Sequence, residues 1–358
     1  MKVLHIITGL GDGGAEHVLF KICKYDKLNK HFVISLKGPG KYYSLLYKIG
    51  IKVYCLDLKF FSIFKFIFLI KLIRSLKPDI VQTWLVHGDF VGGIAARLAG
   101  ITNILWNIRY SNIEIGKSKL STVFIIKILS VLSYIIPKTI ITVSKKAKKI
   151  YEINGYKKKI IKFIPNGYDL SILKVSKFKK IKFQKKINLK KKIPLIGNVA
   201  RFDPQKDHLN LLNALYLINK RNINFFCILV GFNVHKKNLD LVSNIKKLRL
   251  SNHVKLLGQH TNISEVMNGL DLHILSSSYG EGFPNVVAES MACGTPCIVT
   301  DVGDSAFVVG KTGWIVPPKD SAKLAMAIEQ ALYEKNTSNW NKRCNKARQR
   351  IKIKFSIM

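Results

Sequence analysis

Residues 272–300 read L-H-I-L-S-S-S-Y-G-E-G-F-P-N-V-V-A-E-S-M-A-C-G-T-P-C-I-V-T. The run 272–276 is short, apolar and bounded by Ser and Gly, as a fully buried strand should be. Pro284 suits the first position of a helix, where a missing N–H costs nothing. After Gly294, the run 296–300 is again a short apolar strand. Strand, helix and strand in so few residues make a parallel βαβ unit, which needs helices covering its sheet.

Working outward, the same alternation fills the chain. The second half offers strands at 193–199, 225–231, 253–257, 272–276, 296–300 and 313–316. The first half offers 2–8, 31–36, 51–57, 79–84, 103–108, 139–144 and 160–164. At 358 residues the chain exceeds what one core sustains, and 48% of it is apolar, enough for two. The expected class is α/β, with two Rossmann-like parallel-sheet domains facing a central cleft. The first domain is expected over 1–172, and Asn166-Gly167 is read as a turn. A lysine-rich linker is expected over 173–192, a second domain over 193–335, and a polar helical tail over 336–358.

Composition narrows the functional classes. The opening M-K-V-L-H-I-I-T-G-L runs into glycines without a cleavage pattern, so a strand is read rather than a signal peptide. Six cysteines carry no C-x2-C pair, which fits reduced thiols in a cytoplasmic protein. The apolar runs 60–73 and 120–136 are broken by Lys65, Lys71 and Lys127. Both fall short of the roughly 20 residues a span requires, so they are read as helices on the sheet, with a face in the membrane interface as the alternative. Lys and Arg number 59 against 21 acids, a net charge of +38. Part of that excess is compositional; its functional reading is attraction to an anionic membrane surface or to nucleic acid. No nucleic-acid module is present, and the lysines rarely interleave with aromatics.

Three places carry chemistry. Gly9 to Gly14, G-L-G-D-G-G, follows the first strand and opens a helix, a pattern suited to a phosphate. A dinucleotide enzyme would place an acid after the second strand, where this chain has Lys37. That leaves only an NADP oxidoreductase as a rival on this loop. In the second half, Arg201 and Lys206 flank a proline turn after a strand. Two cations on one loop suit a diphosphate, with the guanidinium giving paired contacts and the ammonium a point charge. After the strand at 272–276 come Glu281, Phe283 and Pro284, then the N–H groups of Asn285, Val286 and Val287, which a helix start leaves without partners. Glu281 and Glu289 are spaced to grip hydroxyls on two units, a ribose and a hexose. In the first half His87 closes a strand at its carboxyl end, where α/β ligands bind.

At G-G-A-E (13–16), W-x-x-H-G-D (84–89), I-P-N-G-Y-D (164–169), R-x4-K (201–206) and E-G-F-P-N-V-V-A-E (281–289) the chain resembles family 4 of the retaining glycosyltransferases. These share the GT-B fold. The resemblance implies that Glu289 holds the nucleotide ribose and Glu281 the donor sugar. It places Arg201 and Lys206 on the diphosphate, helped by the backbone of Gly13 and Gly14 and the amides after Pro284, and His87 beside the donor sugar. W-N-I-R (106–109) resembles members that build bacterial surface polysaccharides or lipid-linked glycans. The implied substrates are a nucleotide sugar, UDP-linked by resemblance, and a glycan or lipid-linked acceptor at the inner face of the plasma membrane. No D-x-D occurs, so no metal or other cofactor is expected on the diphosphate. Family members usually end with a helix crossing back to the first domain, and K-F-S-I-M at the end of this sequence is read as a truncated beginning of one.

Overall fold

The computed structural model describes residues 1–58, 62–109, 120–189 and 193–357. The chain forms two compact units, Met1–Pro165 and Asn166–Met358.

The first unit holds β1 (Lys2–Ile7), β2 (Lys30–Ser35), β3 (Lys52–Cys55), β4 (Ile80–Trp84), β5 (Ile104–Ile108), β6 (Thr139–Thr142) and β7 (Ile161–Phe163). All pairings are parallel, in the order β3-β2-β1-β4-β5-β6-β7. Helices Gly14–Tyr25 and Lys41–Lys48 cover one face through Leu19, Cys23, Tyr42 and Leu46. Helix Ile63–Leu76, helix Gly93–Leu98 and helix Leu120–Leu132 cover the other through Leu69, Ile73, Ala95, Ala96, Ile126 and Leu129. The apolar run starting at residue 60 is therefore a helix lying on the sheet, with Phe60 and Phe61 outside the described residues. Among the described residues no helix is long and apolar enough to cross a membrane.

The second unit holds β8 (Leu195–Val199), β9 (Phe226–Val230), β10 (Val254–Leu256), β11 (Leu272–Leu275), β12 (Cys297–Thr300) and β13 (Trp314–Val316). They pair in parallel in the order β10-β9-β8-β11-β12-β13. All thirteen expected strands are present, each a few residues shorter or shifted at its ends. In each sheet the strand order reverses once, between β1 and β4 and between β8 and β11. Such switch points open a crevice at the strands' carboxyl ends.

Three boundaries differ from the expectation. The first unit ends at Pro165, not at 172. Residues 166–167 form no turn: Tyr168 bridges to Ser356, with Tyr168 N–H donating to Phe355 O (2.8 Å) and Ile357 N–H to Tyr168 O (2.9 Å). The local signal was an Asn-Gly pair, but the partner strand comes from the far end of the chain. The lysine-rich stretch is not a bare linker either. It contains helix Lys177–Lys186, capped by Ser176, which accepts from Lys179 N–H. That helix packs on helix Ile263–Gly269 through the fully buried Phe183. The expected tail forms helix Asn339–Phe355, packed on helix Asn285–Ala292. Its Arg348 donates to Leu173 O (2.9 Å) and Ala292 O, and Arg350 to Val308 O (2.8 Å). These bonds anchor it within the second unit.

Candidate functional site

The loop after β8 is held by its own acids. Asp203 accepts from Gln205 N–H at 2.9 Å and so caps the 3-10 turn Pro204–Lys206. Arg201 lies half exposed across that turn, its Nε donating to Asp203 Oδ2 and its Nη2 to Gln205 Oε1, both at 3.1 Å. Lys206 meets a different acid. Its Nζ pairs with Glu281 Oε1, and both side chains are nearly buried, 14% and 8% exposed. The two cations on this loop therefore share no acceptor; each has a carboxylate of its own.

The segment after β11 docks on the same turn. Ser276 Oγ donates to Lys206 O (2.9 Å) and Ser278 N–H to Gln205 O (2.9 Å). Ser277 Oγ donates to Glu281 Oε1 at 2.5 Å, and Thr300 Oγ1 to Ser277 O at 2.6 Å. Adjacent strands β8 and β11 thus hold Lys206 and Glu281 together at the switch point. The loop after β12 closes on them from the third strand. Asp304 N–H donates to Gly282 O (2.9 Å), and Gly303 has φ +57° with space for no side chain. A Cβ there would lie 1.9 Å from Glu281 O.

Helix Asn285–Ala292 begins one residue later than expected, since Pro284 is extended (φ −76°, ψ 98°) and takes the cap position. Val287 N–H turns back to Pro284 O at 3.2 Å, so it is not one of the open groups. The N–H groups of Asn285 and Val286 have no backbone acceptor among the described residues. Asn285 is fixed by its side chain: its Oδ1 accepts from Tyr168 OH (2.6 Å) and Asn166 Nδ2 (2.8 Å). Phe283 packs between Tyr168 and Phe355, with ring centroids at 6.3 and 5.3 Å. Glu289 lies further along the same helix.

In the first unit the glycine loop meets the segment after β2, with Lys37 N–H donating to Thr8 O (3.1 Å) and Tyr42 N–H to Leu10 O (3.0 Å). Gly13 caps and Gly14 opens helix Gly14–Tyr25. The Glu16 carboxyl folds over Gly13, where a Cβ would meet its Oε2 at 2.3 Å, and burial raises its pKa. That helix N-terminus therefore already has a carboxyl group against it. His87 sits at the end of a one-turn helix begun by Leu85 at φ 70°. Partial desolvation and the Lys37 cation lower its pKa. Two residues on, Asp89 is buried, accepting from Thr83 Oγ1 (2.5 Å) and from Asn107 N–H; burial pushes its pKa up to about 8.

Trp84 supports the same corner. Its Nε1–H donates to His5 Nδ1 (3.3 Å), and His5 Nε2 meets His31 Nδ1 at 3.0 Å. An indole only donates, so His5 carries its proton on Nε2 and gives it to His31. Cys23 lies within 4.8 Å of both imidazoles, but with His5 committed on both sides the group is a hydrogen-bonded stack, not an open ligand set. Arg109 lies over Trp84, 5.1 Å from the ring centre, with Nε on Asn107 Oδ1 (2.9 Å).

The sequence reading missed the supporting residues: Ser277 for Glu281, Asn166 and Tyr168 for Asn285, and Asp203 and Gln205 for Arg201. Most lie inside the quoted motifs, which was the available signal. What was hidden was the long-range partner of each.

Residues 12–172 match the family described as Glycosyltransferase Family 4, and residues 179–352 the one described as Glycosyl transferases group 1. The chain is 28% identical over 299 residues to the UDP-Gal:alpha-D-GlcNAc-diphosphoundecaprenol alpha-1,3-galactosyltransferase of Escherichia coli, covering 81% of this chain and 75% of that one. It is 26% identical to the N,N'-diacetylbacillosaminyl-diphospho-undecaprenol alpha-1,3-N-acetylgalactosaminyltransferase of Campylobacter jejuni, covering 82% and 79%. Its fold matches the crystal structure of Anabaena HepE in complex with UDP and glucose, with TM-score 0.87, 22% identity and coverage of 99% and 96%.

Proposed function

The chain belongs to the glycosyltransferases, with a family 4 domain ahead of a group 1 domain, and on that premise we propose that it moves a hexose or N-acetylhexosamine from a UDP-linked donor to a hydroxyl of a lipid-linked glycan, retaining the anomeric configuration. The observation that carries the donor side is the Lys206–Glu281 pair at the β8/β11 switch point, beside the start of helix Asn285–Ala292.

An ammonium has three N–H donors. One goes to Glu281, which leaves capacity for diphosphate oxygens and aims Glu281 at the hydroxyls of the sugar. Arg201 spends two of its five donors on Asp203 and Gln205 and offers the others to the same diphosphate. As the glycosidic bond breaks, negative charge grows on the leaving group, and donors fixed in advance favour that state over the ground state. In this reading Arg201, Lys206 and the amides of Asn285 and Val286 supply the neutralisation without a metal. Glu289 holds the ribose, and Phe283 and Pro284 shape the site. The acceptor hydroxyl attacks from the face the leaving group departs. The relatives' diphosphoundecaprenol acceptors support a lipid-linked acceptor, which would bring the enzyme to the inner face of the membrane.

A panel of nucleotide sugars, assayed for nucleoside diphosphate release with and without membrane lipid extract, tests the reading. Release from a UDP-sugar that rises with lipid extract, giving product whose anomeric proton coupling matches the donor's, is expected. Release from none of the panel would remove it, and an inverted product would remove retention.

A further inference from the structure

Helix Ile63–Leu76 turns Leu69 and Ile73 into the core of the first unit, yet its opposite stripe is not polar. Phe64, Ile67 and Phe68 stand there at helical spacing, 81%, 43% and 55% exposed, and Lys71 continues the stripe. Helix Leu120–Leu132 repeats the arrangement. Ile126 and Leu129 are buried, while Phe124 and Val131 face outward at 65% and 66% exposure with exposed Lys127 between them. Scattered exposed apolar residues are ordinary; aromatic residues on the outward stripes of two helices over one sheet face are not.

The topology gathers the two stripes. The crossovers from β3 to β4 and from β5 to β6 step across the sheet in the same direction. Right-handed crossovers therefore put both helices on one face, where they share a core. Each helix starts at the carboxyl edge of the strand before it. Phe64, Phe68 and Phe124 thus lie towards the edge that also carries His87.

Charge identifies the occupant. No acidic residue lies between Asp57 and Asp79, nor between Glu114 and Glu152, whereas Lys65, Lys71, Arg74 and Lys127 do. Exposed aromatic rings with ammonium groups beside them match a bilayer of anionic phospholipid: rings enter the acyl boundary and cations stay among the headgroups. A second copy of the chain would bring an equally acid-free, lysine-bearing face against this one, which like charge opposes. We propose that this face of the first unit docks on an anionic phospholipid bilayer with its His87 edge towards the headgroups. The docking stands without the glycosyl-transfer reading; the use of that edge for a lipid-linked acceptor rests on it.

The full chain is co-sedimented with vesicles of phosphatidylcholine alone or mixed with phosphatidylglycerol, with no sugar donor present. Binding to the mixed vesicles is expected to exceed binding to the neutral ones at least tenfold and to weaken in high salt. The double variant Phe64→Ser/Phe68→Ser, checked for unchanged circular dichroism, is expected to lose tenfold or more. Phe178→Ser, which removes an exposed ring of the second unit, is expected to bind as the wild type does. Three results overturn the proposal: wild type that ignores anionic vesicles, a double variant that binds like wild type, or equal loss in Phe178→Ser. A dimer by sedimentation velocity that the double variant dissolves would instead assign the face to a second copy. Sugar transfer to a soluble acceptor reads the catalytic assignment separately.

Discussion

Lys206 and Glu281, 75 residues apart in sequence, meet as an ion pair at the carboxyl edge of the second sheet, and Ser277 donates to the same carboxylate oxygen. The pair joins the loop after β8 to the loop after β11, so one contact sets the position of the cation and of the acid at once.

Each single truncation leaves a nearly buried partner charge without its counterpart. Lys206→Ala and Glu281→Ala are each expected to cost about 3 kcal/mol in urea unfolding, and the double variant clearly less than their sum. Lys206→Ala is also expected to cut turnover roughly a hundredfold, the equivalent of 2–3 kcal/mol in the barrier. Additive costs would mean the pair is not a unit. Near-normal turnover would remove Lys206 from the chemistry.

Gly303→Ala tests the clamp on Glu281. The residue sits at φ +57°, and a methyl group would run into Glu281 O. Strain and displacement together are expected to cost about 1–3 kcal/mol of stability and to lower kcat for the loop that carries Glu281. Unchanged kinetics in a folded Gly303→Ala protein would show that the position of this loop is not critical.

Much of this architecture is readable from residue order. The thirteen strands announce themselves as short apolar runs because parallel strands are buried on both faces. Helix Lys177–Lys186 was hidden by its lysines, although Ser176 ahead of Phe183 and Ile187, four residues apart, is a capped helix with one apolar stripe. Asn166-Gly167 was misread because turn chemistry is local, while the partner of Tyr168 is Ser356. At the candidate site, the sequence offers the cations and acids by type and position. It does not offer their pairing, because sequence spacing does not say which carboxylate a lysine on another strand will meet. Lys206 was expected on a diphosphate and Glu281 on a sugar; in the structure each is first the other's partner.

Tyr168→Phe removes the 2.6 Å hydrogen bond to Asn285 Oδ1 while keeping the ring between its neighbours. Asn166 still donates to that oxygen. A loss of about 1 kcal/mol is expected in chemical denaturation, with little change in fold by circular dichroism. Tyr168→Leu also removes the stacking on Phe283 and is expected to lose more.

Stability against acid should follow the buried imidazoles. Burial and the Lys206 cation depress the pKa of His208 from 6.5 to about 4, and burial takes His273 to about 3. Between those values and 6.5 the unfolded chain takes up protons that the folded chain refuses. Their stabilisation is complete above pH 6.5 and is lost as pH falls towards 4, by about 3 kcal/mol for His208. Asp89 acts with the opposite sign, its contribution present below pH 3.8 and lost as pH rises to about 8. A Tm series from pH 8 to 4 is expected to fall below pH 6.5, with a shallower slope in His208→Gln. Parallel slopes would show that His208 titrates alike in both states.

Calorimetric titration of UDP into the full chain, Lys206→Ala and Glu289→Ala measures the donor site with no acceptor or membrane needed. One saturable site in the wild type, weakened tenfold or more in both variants, is the outcome required if the second unit grips a nucleoside diphosphate. Equal affinity in all three proteins, or no heat with UDP where NADPH binds tightly, would contradict it.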